Sequence, residues 1–209
     1  MKPWLIIPAK PFAEAKSRLA SVLSTSQRTA LSAHMLERTL HIAVAADCFA
    51  QMIVVSRDPA ALTLAMHGGA LPLTETGADL NAAIEQACQH AVMLGATAAL
   101  ILPADLPHLC IADLHALIAA SGNGQRIVMA PSGDGGTNAL LLPLPPPFAC
   151  AFGPASYCTH WLRAARAGFA IQDVHTTTLR FDLDTPRDWA KLVTDAPFSV
   201  AALLAESPS

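Results

Sequence analysis

The chain has 209 residues, of which 53% are hydrophobic and 14% are charged, and its formal net charge is −3. This length suits one substantial domain, so we assign residues 1–195 to a single domain and residues 196–209 to a C-terminal tail. The small negative charge argues against a nucleic-acid surface or an anionic membrane as a partner, and no apolar run approaches the ~20 residues of a membrane span.

Strand-like and helix-like patterns alternate along the chain. Short apolar runs predict strands over residues 4–7, 51–55, 70–73, 98–102, 127–130, 139–142, 169–174 and 179–183. Helical spacing and capping residues predict helices that begin near Ser26, at Pro59, after Asp79, at Ile111, near Ser156 and after Pro186. The alternation predicts a three-layer α/β fold, in which a mixed, mostly parallel, Rossmann-like sheet carries helices on both faces.

The loop after the first strand carries three of the 13 lysines and arginines, namely Lys10, Lys16 and Arg18. Open α/β sheets bind ligands beyond the carboxyl ends of their strands, so this cluster is a candidate anion site. Lys10 would neutralise one phosphate as a point charge, and Arg18 would grip another with two parallel hydrogen bonds. The alternative is a solvated loop in which Glu14 pairs with one of these cations.

Three aspartates come at the ends of two other predicted strands. Asp105 comes three residues after the end of one of them, and Asp182 and Asp184 lie at the end of another with a spacing that points both side chains to one side of an extended chain. Three such carboxylates suggest Mg²⁺, a hard ion that binds carboxylate oxygens and completes its shell with water and phosphate oxygens. The alternatives are an ordinary turn aspartate for Asp105 and capping aspartates for the other two.

Two further loops carry groups that suit an anionic ligand. Loop 132–138 places several glycines before Thr137 and Asn138, so backbone N–H groups and two polar side chains are available there, although a simple hairpin turn is the commonest use of such a run. Gly153 and Ser156 precede a predicted helix, so Ser156 and the first amides would form an anion-binding helix start. Alternatively, Ser156 is only an N-cap.

In this order, the motifs resemble one known family, the guanylyltransferases of coenzyme F420 biosynthesis called CofC or FbiD, within the wider MobA-like nucleotidyltransferase group. The resemblance extends from Trp4 to about Trp189 and includes six short motifs. These motifs are Pro8-Ala9-Lys10 through Lys16-Ser17-Arg18-Leu19, Leu80-Asn81, Pro103 to Pro107, Gly136 to Leu140, Phe152-Gly153 to Ser156, and Asp182 to Pro186.

The resemblance implies a transferase with the fold of the nucleotide-diphospho-sugar transferases. Such an enzyme joins GMP from GTP to a phosphorylated three-carbon acid and releases diphosphate, with Mg²⁺ as its cofactor. The acid would be 3-phospho-D-glycerate, phosphoenolpyruvate or 2-phospho-L-lactate, and these three remain open. The implied partners are therefore GTP and a small phosphorylated acid.

The resemblance also implies roles for individual residues. It assigns metal binding to Asp105, Asp182 and Asp184, and catalytic roles to Asp105, Lys16 and Arg18. It places the nucleotide at Lys10, Lys16, Arg18, Asn81 and Asp105. It places the acid at Thr137, Asn138, Gly153 and Ser156.

One departure from the wider group concerns the first loop. MobA-like enzymes usually begin with a glycine-rich loop over the phosphates, whereas here the first strand runs into Pro-Ala-Lys-Pro, so lysines and an arginine would replace backbone amides. Asp79, just before Leu80-Asn81, is interpreted as a helix cap rather than as a ligand of guanine.

No histidine is assigned a catalytic role. A phosphate nucleophile is already ionised at neutral pH, so the reaction needs positioning and electrostatic stabilisation rather than a general base. The eight histidines are scattered along the chain, and His108 and His160 are noted because they follow the Asp105 and Ser156 motifs.

Three other functions are compatible with parts of this pattern. A related enzyme would transfer another nucleotidyl group to a different phosphate acceptor, a non-catalytic nucleotide-binding module would have kept the fold alone, and a structural homodimer would present a large apolar patch. A homodimer is in any case the commonest homo-oligomer. Five scattered cysteines and the absence of a signal-peptide pattern predict free thiols in a cytoplasmic protein.

Overall fold

A computed structural model describes residues 2–195, and within them the strands form one seven-stranded sheet in the order β3-β2-β1-β4-β6-β5-β7. The strands are β1 (Trp4–Pro8), β2 (Gln51–Ser56), β3 (Leu71–Thr74), β4 (Ala98–Ile101), β5 (Arg126–Pro131), β6 (Thr137–Pro143) and β7 (Ala170–Asp173). In these pairings β6 runs antiparallel to both of its neighbours, and the other neighbouring strands run parallel to each other. The predicted mixed, mostly parallel sheet is confirmed.

Helices cover both faces of this sheet. They are α1 (Thr25–Ala46), α2 (Pro59–His67), α3 (Leu80–Met93), α4 (Ile111–Ala120), α5 (Ser156–Arg166), α6 (Thr177–Arg180) and α7 (Pro186–Asp195). Alternate residues of β1 point to opposite faces: Leu5 and Ile7 pack with residues of α1, α2 and α4, whereas Ile6 packs with residues of α3 and α5. The three-layer arrangement predicted from the sequence is therefore confirmed.

A third, smaller hydrophobic cluster lies outside the two main layers of the core. Leu19, from a single 3₁₀ turn (Ser17–Leu19), packs there with residues of α1, with Leu183 and with Leu192 of α7. Leu183 and Leu19 are fully buried. This cluster fixes the long first loop against the segment that carries Asp182 and Asp184.

The strand predicted over residues 179–183 is wrong. The chain instead forms the short helix α6, because the Thr176 side chain accepts a hydrogen bond from the Leu179 N–H and caps the turn. The hydroxyls of Thr176 and Thr178 also donate to the buried carboxylate of Asp113, so local capping chemistry overrides the β-propensity of a threonine-rich run. After α6 the backbone of Phe181 is extended, but residues 181–184 are not a strand of the sheet.

Three other sequence-based expectations concern the C-terminal tail, the cysteines and membrane crossing. The predicted C-terminal tail, residues 196–209, lies outside the described residues. All five cysteines are free thiols. None of the helices within residues 2–195 combines the length and apolarity that a membrane crossing requires.

The third cluster predicts the effect of truncating Leu183. Replacing a fully buried leucine with alanine leaves a cavity, so Leu183→Ala should lower the free energy of unfolding by about 2–5 kcal/mol. Leu162, which is 45% exposed on α5, provides the matched control, and Leu162→Ala should change this free energy by about 0.5 kcal/mol or less. Urea denaturation measures both values, and equal losses in the two variants would contradict the packing described here.

Candidate active site

Three separate segments bring charged side chains to the edge of the sheet where β1 and β4 end. The first loop follows β1, Asp105 follows β4, and the Asp182–Asp184 segment is attached by a hydrogen bond from the Leu183 N–H to the Asp105 carbonyl, 3.0 Å long. Leu183 is buried in the third cluster, whereas Asp184 pairs with Lys16, and Asp182 lies close enough to Asp105 and Asp184 for their charges to raise its pKa. The carboxylates therefore converge although they are far apart in sequence.

Lys16 lies between two of these carboxylates. Its Nζ is 3.1 Å from Asp105 Oδ2 and 3.1 Å from Asp184 Oδ1, and its side chain is only 9% exposed. Burial alone would lower the pKa of this ammonium, but the two carboxylates outweigh it and raise the pKa above the usual lysine value. Lys16 therefore stays charged at neutral pH.

The backbone of Lys16 adopts the left-handed conformation, with φ of 54°. For a non-glycine residue this conformation costs about 1 kcal/mol or more, and the two ion pairs help to offset it. Arg18 is held less tightly, because its Nη1 lies 3.7 Å from Asp184 Oδ2 and its side chain is 70% exposed. Arg18 is thus available to an incoming anion.

Asp182 carries the excess negative charge of the cluster. Burial, followed by the charges of Asp105 and Asp184, raises its pKa to about 6, while the side-chain amide of Asn138 acts in the opposite direction. Within residues 2–195, no group of three or more histidine, cysteine, aspartate or glutamate side chains is arranged to hold a metal ion. The Lys16 ammonium lies between Asp105 and Asp184. The donor set of three carboxylates nevertheless has the chemistry that Mg²⁺ requires.

A second group, made of hydroxyls, lies at the start of β6 and the start of α5. The Ser156 hydroxyl donates to Thr137 Oγ1 over 3.0 Å, and both side chains are at least 95% buried, with exposures of 1% and 5%. Ala155, not Ser156, is the N-cap of α5, so the alternative that Ser156 serves only as an N-cap is wrong. Gly153, with φ of 138°, occupies a backbone conformation that only glycine adopts readily.

Two predicted site residues use their side chains to hold loops in place. Asn138 donates through Nδ2 to the Leu179 carbonyl over 2.8 Å, which fixes α6 against β6. Asn81 pairs with the backbone of Phe152, accepting from its N–H at 2.7 Å and donating to its carbonyl at 3.0 Å. Asn81 therefore joins the first turn of α3 to the loop that precedes α5.

A cavity of about 500 Å³ lies beyond the ends of β1 and β2 and beside the start of α3. Lys10, Asn81 and Asp79 are among its lining residues. Asp79 caps α3 by accepting from the Ala82 N–H over 2.9 Å, so its interpretation as a cap is confirmed. Glu14 pairs with Arg57 over 2.7 Å and not with Lys10, Lys16 or Arg18 as the solvated-loop alternative required.

The glycine-rich loop between β5 and β6 is a hairpin connection. Asp134 accepts hydrogen bonds from the Ser132 hydroxyl and, over 3.1 Å, from the Gly136 N–H. A Cβ at Gly136 would lie 2.8 Å from Ser132 Oγ, so a larger residue there would displace the Ser132 hydroxyl from its bond to Asp134. The simpler of the two sequence-based interpretations, a hairpin turn, is confirmed.

Two groups at this edge were not assigned from the sequence. His160 is fully buried and contacts Thr137, and its role depends on hydrogen bonds that no sequence pattern reveals. Glu75 and Arg57 line the cavity, and each is a single charged residue after a strand, a pattern that does not predict a binding site. His108, by contrast, stacks on Phe181 with ring centroids 5.1 Å apart, and burial lowers its pKa.

A family model described as guanylyl transferase CofC like matches residues 3–196. The phosphoenolpyruvate guanylyltransferase of Rubrobacter xylanophilus is 40% identical over 193 residues, which cover 92% of this chain and 94% of that protein. The 2-phospho-L-lactate guanylyltransferase of Methanothermobacter thermautotrophicus is 31% identical over 195 residues, which cover 92% of this chain and 85% of that protein.

One solved structure has a similar fold. A protein from Desulfovibrio desulfuricans G20, described as a nucleotide-diphospho-sugar transferase, aligns with a TM-score of 0.77 and 18% sequence identity over 97% of this chain and 94% of that one. At this identity the likeness supports the fold alone.

The raised pKa of Asp182 predicts a pH-dependent gain in stability on its neutralisation. The folded protein holds the Asp182 proton more tightly than the unfolded chain does, so ionisation opposes folding above about pH 6, and this penalty disappears as the pH falls to the ordinary aspartate value of about 4. Asp182→Asn should therefore raise the free energy of unfolding at pH 8 by about 1–3 kcal/mol, with a gain that fades towards pH 4. Urea denaturation of the metal-free protein across this range measures the effect.

Asp184→Asn is the matched comparison, because that carboxylate is paired with Lys16. Its neutralisation removes a favourable ion pair, so this variant should lose stability at pH 8. A loss of similar size in both variants would show that Asp182 is compensated in the folded protein and would contradict the charge balance described above.

Proposed function

This chain belongs to the CofC-like guanylyl transferase family, and from that premise we propose that it joins GMP from GTP to a phosphorylated three-carbon acid with release of diphosphate. The observation that supports this most directly is the buried Lys16 ammonium between Asp105 and Asp184, at the same sheet edge as the hydroxyl pair of Thr137 and Ser156. One group suits phosphates and a divalent ion, and the other suits a small oxyanion.

The chemistry requires two anions to meet. A phosphate oxygen of the acid attacks the α-phosphorus of GTP, the new P–O bond forms, and the bond from the α-phosphorus to the departing diphosphate breaks. Repulsion between the reactants is the main obstacle, because two unit charges 4 Å apart interact by about 4 kcal/mol at an effective dielectric constant of 20. Catalysis therefore depends on positioning and charge neutralisation, and no general base is needed.

The cations of the first loop supply part of this neutralisation. Lys16 is buried and remains protonated, so its charge is fixed before substrate arrives. Arg18 is mostly exposed and only loosely paired, so it can turn to a phosphate and bind it with two parallel hydrogen bonds. We assign both residues and Asp105 to the catalytic group.

Asp105, Asp182 and Asp184 would hold Mg²⁺. The raised pKa of Asp182 supports this assignment, because it reflects a carboxylate that is partly buried beside the negative charges of Asp105 and Asp184. When bound, Mg²⁺ would neutralise phosphate charge and help to orient the reacting phosphates. Asn138 supports this group by fixing α6, which precedes the Asp182–Asp184 segment, against β6.

The nucleotide and the acid would occupy different parts of the edge. The cavity lined by Lys10 and Asn81 is large enough for a nucleotide, so we assign the GTP site to it. We assign the acid to Thr137, Gly153 and Ser156, where the Thr137 hydroxyl and a sharply turned backbone offer hydrogen-bond donors. The Asn81 contact to Phe152 connects the two subsites.

The identity of the acid is the finer part of the proposal. The relative from Rubrobacter xylanophilus is a phosphoenolpyruvate guanylyltransferase, and the one from Methanothermobacter thermautotrophicus is a 2-phospho-L-lactate guanylyltransferase. We therefore rank phosphoenolpyruvate first, followed by 2-phospho-L-lactate and 3-phospho-D-glycerate. The product would enter coenzyme F420 biosynthesis in the cytoplasm, which agrees with five free thiols.

The test is diphosphate release with GTP and Mg²⁺, offering each of the three acids separately and replacing GTP by ATP or CTP as controls. Release that needs both GTP and one of the acids supports the proposal. Release with a different nucleotide or no release with any acid, from a protein shown to be folded, would contradict it.

The Asp105→Asn variant distinguishes a role of Asp105 in catalysis from a role in folding. The substitution removes a charge that Lys16 and the proposed Mg²⁺ both use, so turnover should fall by about 100-fold or more. Lys16 keeps Asp184 as a partner, so the protein should remain folded by circular dichroism. Asp47→Asn, at the exposed end of α1, is the control and should retain normal turnover; near-normal turnover in Asp105→Asn would refute the assignment.

A further inference from the structure

Three buried polar side chains form a hydrogen-bonded chain at the proposed acid subsite. His160 Nδ1 lies 3.0 Å from Thr137 Oγ1, and Ser156 Oγ donates to the same Thr137 oxygen over 3.0 Å. All three side chains are at least 95% buried, and His160 is fully buried. Water therefore does not compete for these bonds, and each polar atom depends on its protein partner.

The hydrogen bonds determine which nitrogen of His160 carries the proton. Nε2 accepts a hydrogen bond from the Ala151 N–H over 2.8 Å, so it has no proton of its own. Burial, with a smaller effect from Arg163, lowers the pKa of His160 to about 4, so the ring is neutral at pH 7. A neutral imidazole carries one proton, which must lie on Nδ1 and be donated to Thr137 Oγ1.

This leaves a single choice for the Thr137 hydroxyl. A hydroxyl oxygen accepts at most two hydrogen bonds and donates one. Both acceptor positions of Thr137 are taken, one by His160 and one by Ser156, so the oxygen cannot accept a third bond. Its own proton is free to be donated.

We propose that His160 is a positioning residue that holds the Thr137 hydroxyl as a dedicated donor to an anionic oxygen of the acid substrate. The inference rests on the proposed function, since it requires the acid to bind at Thr137. An undirected threonine hydroxyl could turn its lone pairs to an anion and repel it, whereas this one can present only its proton. The acid is thereby recognised as an oxyanion rather than as a neutral hydrogen-bond donor.

The ring of His160 is itself held in position. The Phe152 ring meets it edge to face, with centroids 4.9 Å apart, and Asn81 fixes the backbone of Phe152. Because Asn81 lines the proposed nucleotide cavity, the orientation of the donor is supported from the nucleotide side of the site. The ring therefore has little freedom to exchange the roles of its two nitrogens.

Two substitutions distinguish the two nitrogens. His160→Gln places an amide near the position of Nε2, where it can still accept from Ala151, but leaves Thr137 without its donor. His160→Asn places an N–H near the position of Nδ1 and restores that donor. We expect His160→Gln to raise the KM for the acid about tenfold, the equivalent of one hydrogen bond, with an unchanged KM for GTP, and His160→Asn to stay within about threefold of the parent protein.

Coupling to Thr137 separates this role from a merely structural one. In the Thr137→Val background the donor is absent, so His160→Gln should no longer change the KM for the acid. An equal rise in both backgrounds, a parallel rise in the KM for GTP, or no rise at all would overturn the proposal. A parent protein inactive with all three acids would instead refute the proposed function.

The tautomer can be read without any activity. In ¹⁵N-labelled parent protein, the imidazole resonances of His160 should show Nδ1 protonated and Nε2 unprotonated at pH 7. The opposite tautomer would overturn the proposal even if the kinetic effects appeared, because His160 would then be unable to donate to Thr137.

Discussion

The balance of charge around Lys16 is the constraint on which the site depends. Three carboxylates converge on one sheet edge, and two of them, Asp105 and Asp184, share the buried ammonium of Lys16. The third, Asp182, is left with an excess of negative charge and a raised pKa. A fold tolerates such an arrangement at some cost in stability, and functional sites are where perturbed carboxylates are most often found. The imbalance is what would make the edge receptive to a divalent cation and, through it, to phosphates.

Packing away from the charges explains how the three segments meet. Leu183 is buried with Leu19 in the third cluster, so one apolar contact sets both the Lys16 loop and the paired aspartates. The antiparallel direction of β6 places the first residue of that strand, Thr137, at the edge where β4 and β5 end. An all-parallel sheet would have placed Thr137 at the opposite edge. Hydrophobic packing and one antiparallel strand thus bring together an ionic group and a hydroxyl group.

Much of this could be predicted from the sequence, and the failures have physical causes. Buried apolar runs located β1, β4 and the position of Asp105, since a proline after such a run marks the end of a strand. Residues 179–183 were misassigned because capping by Thr176 and bonding to Asp113 outweigh β-propensity. Asn81 and Asn138 belong to motifs that carry the family resemblance, yet their bonds to backbone atoms depend on loops distant in sequence. The role of His160 could not be predicted, because its hydrogen bonds connect α5 to the start of β6 and to the loop at Ala151.

The dependence of the site on this ammonium can be measured as the turnover of Lys16→Met with GTP, Mg²⁺ and the best of the three acids, compared with that of Arg18→Met. Because Lys16 is buried between two carboxylates and Arg18 is exposed, we expect a loss of about 100-fold or more in Lys16→Met and a smaller loss in Arg18→Met. Circular dichroism would establish that both variants are folded. Turnover in a folded Lys16→Met protein within about threefold of the parent would contradict the view that the site is organised around this ammonium.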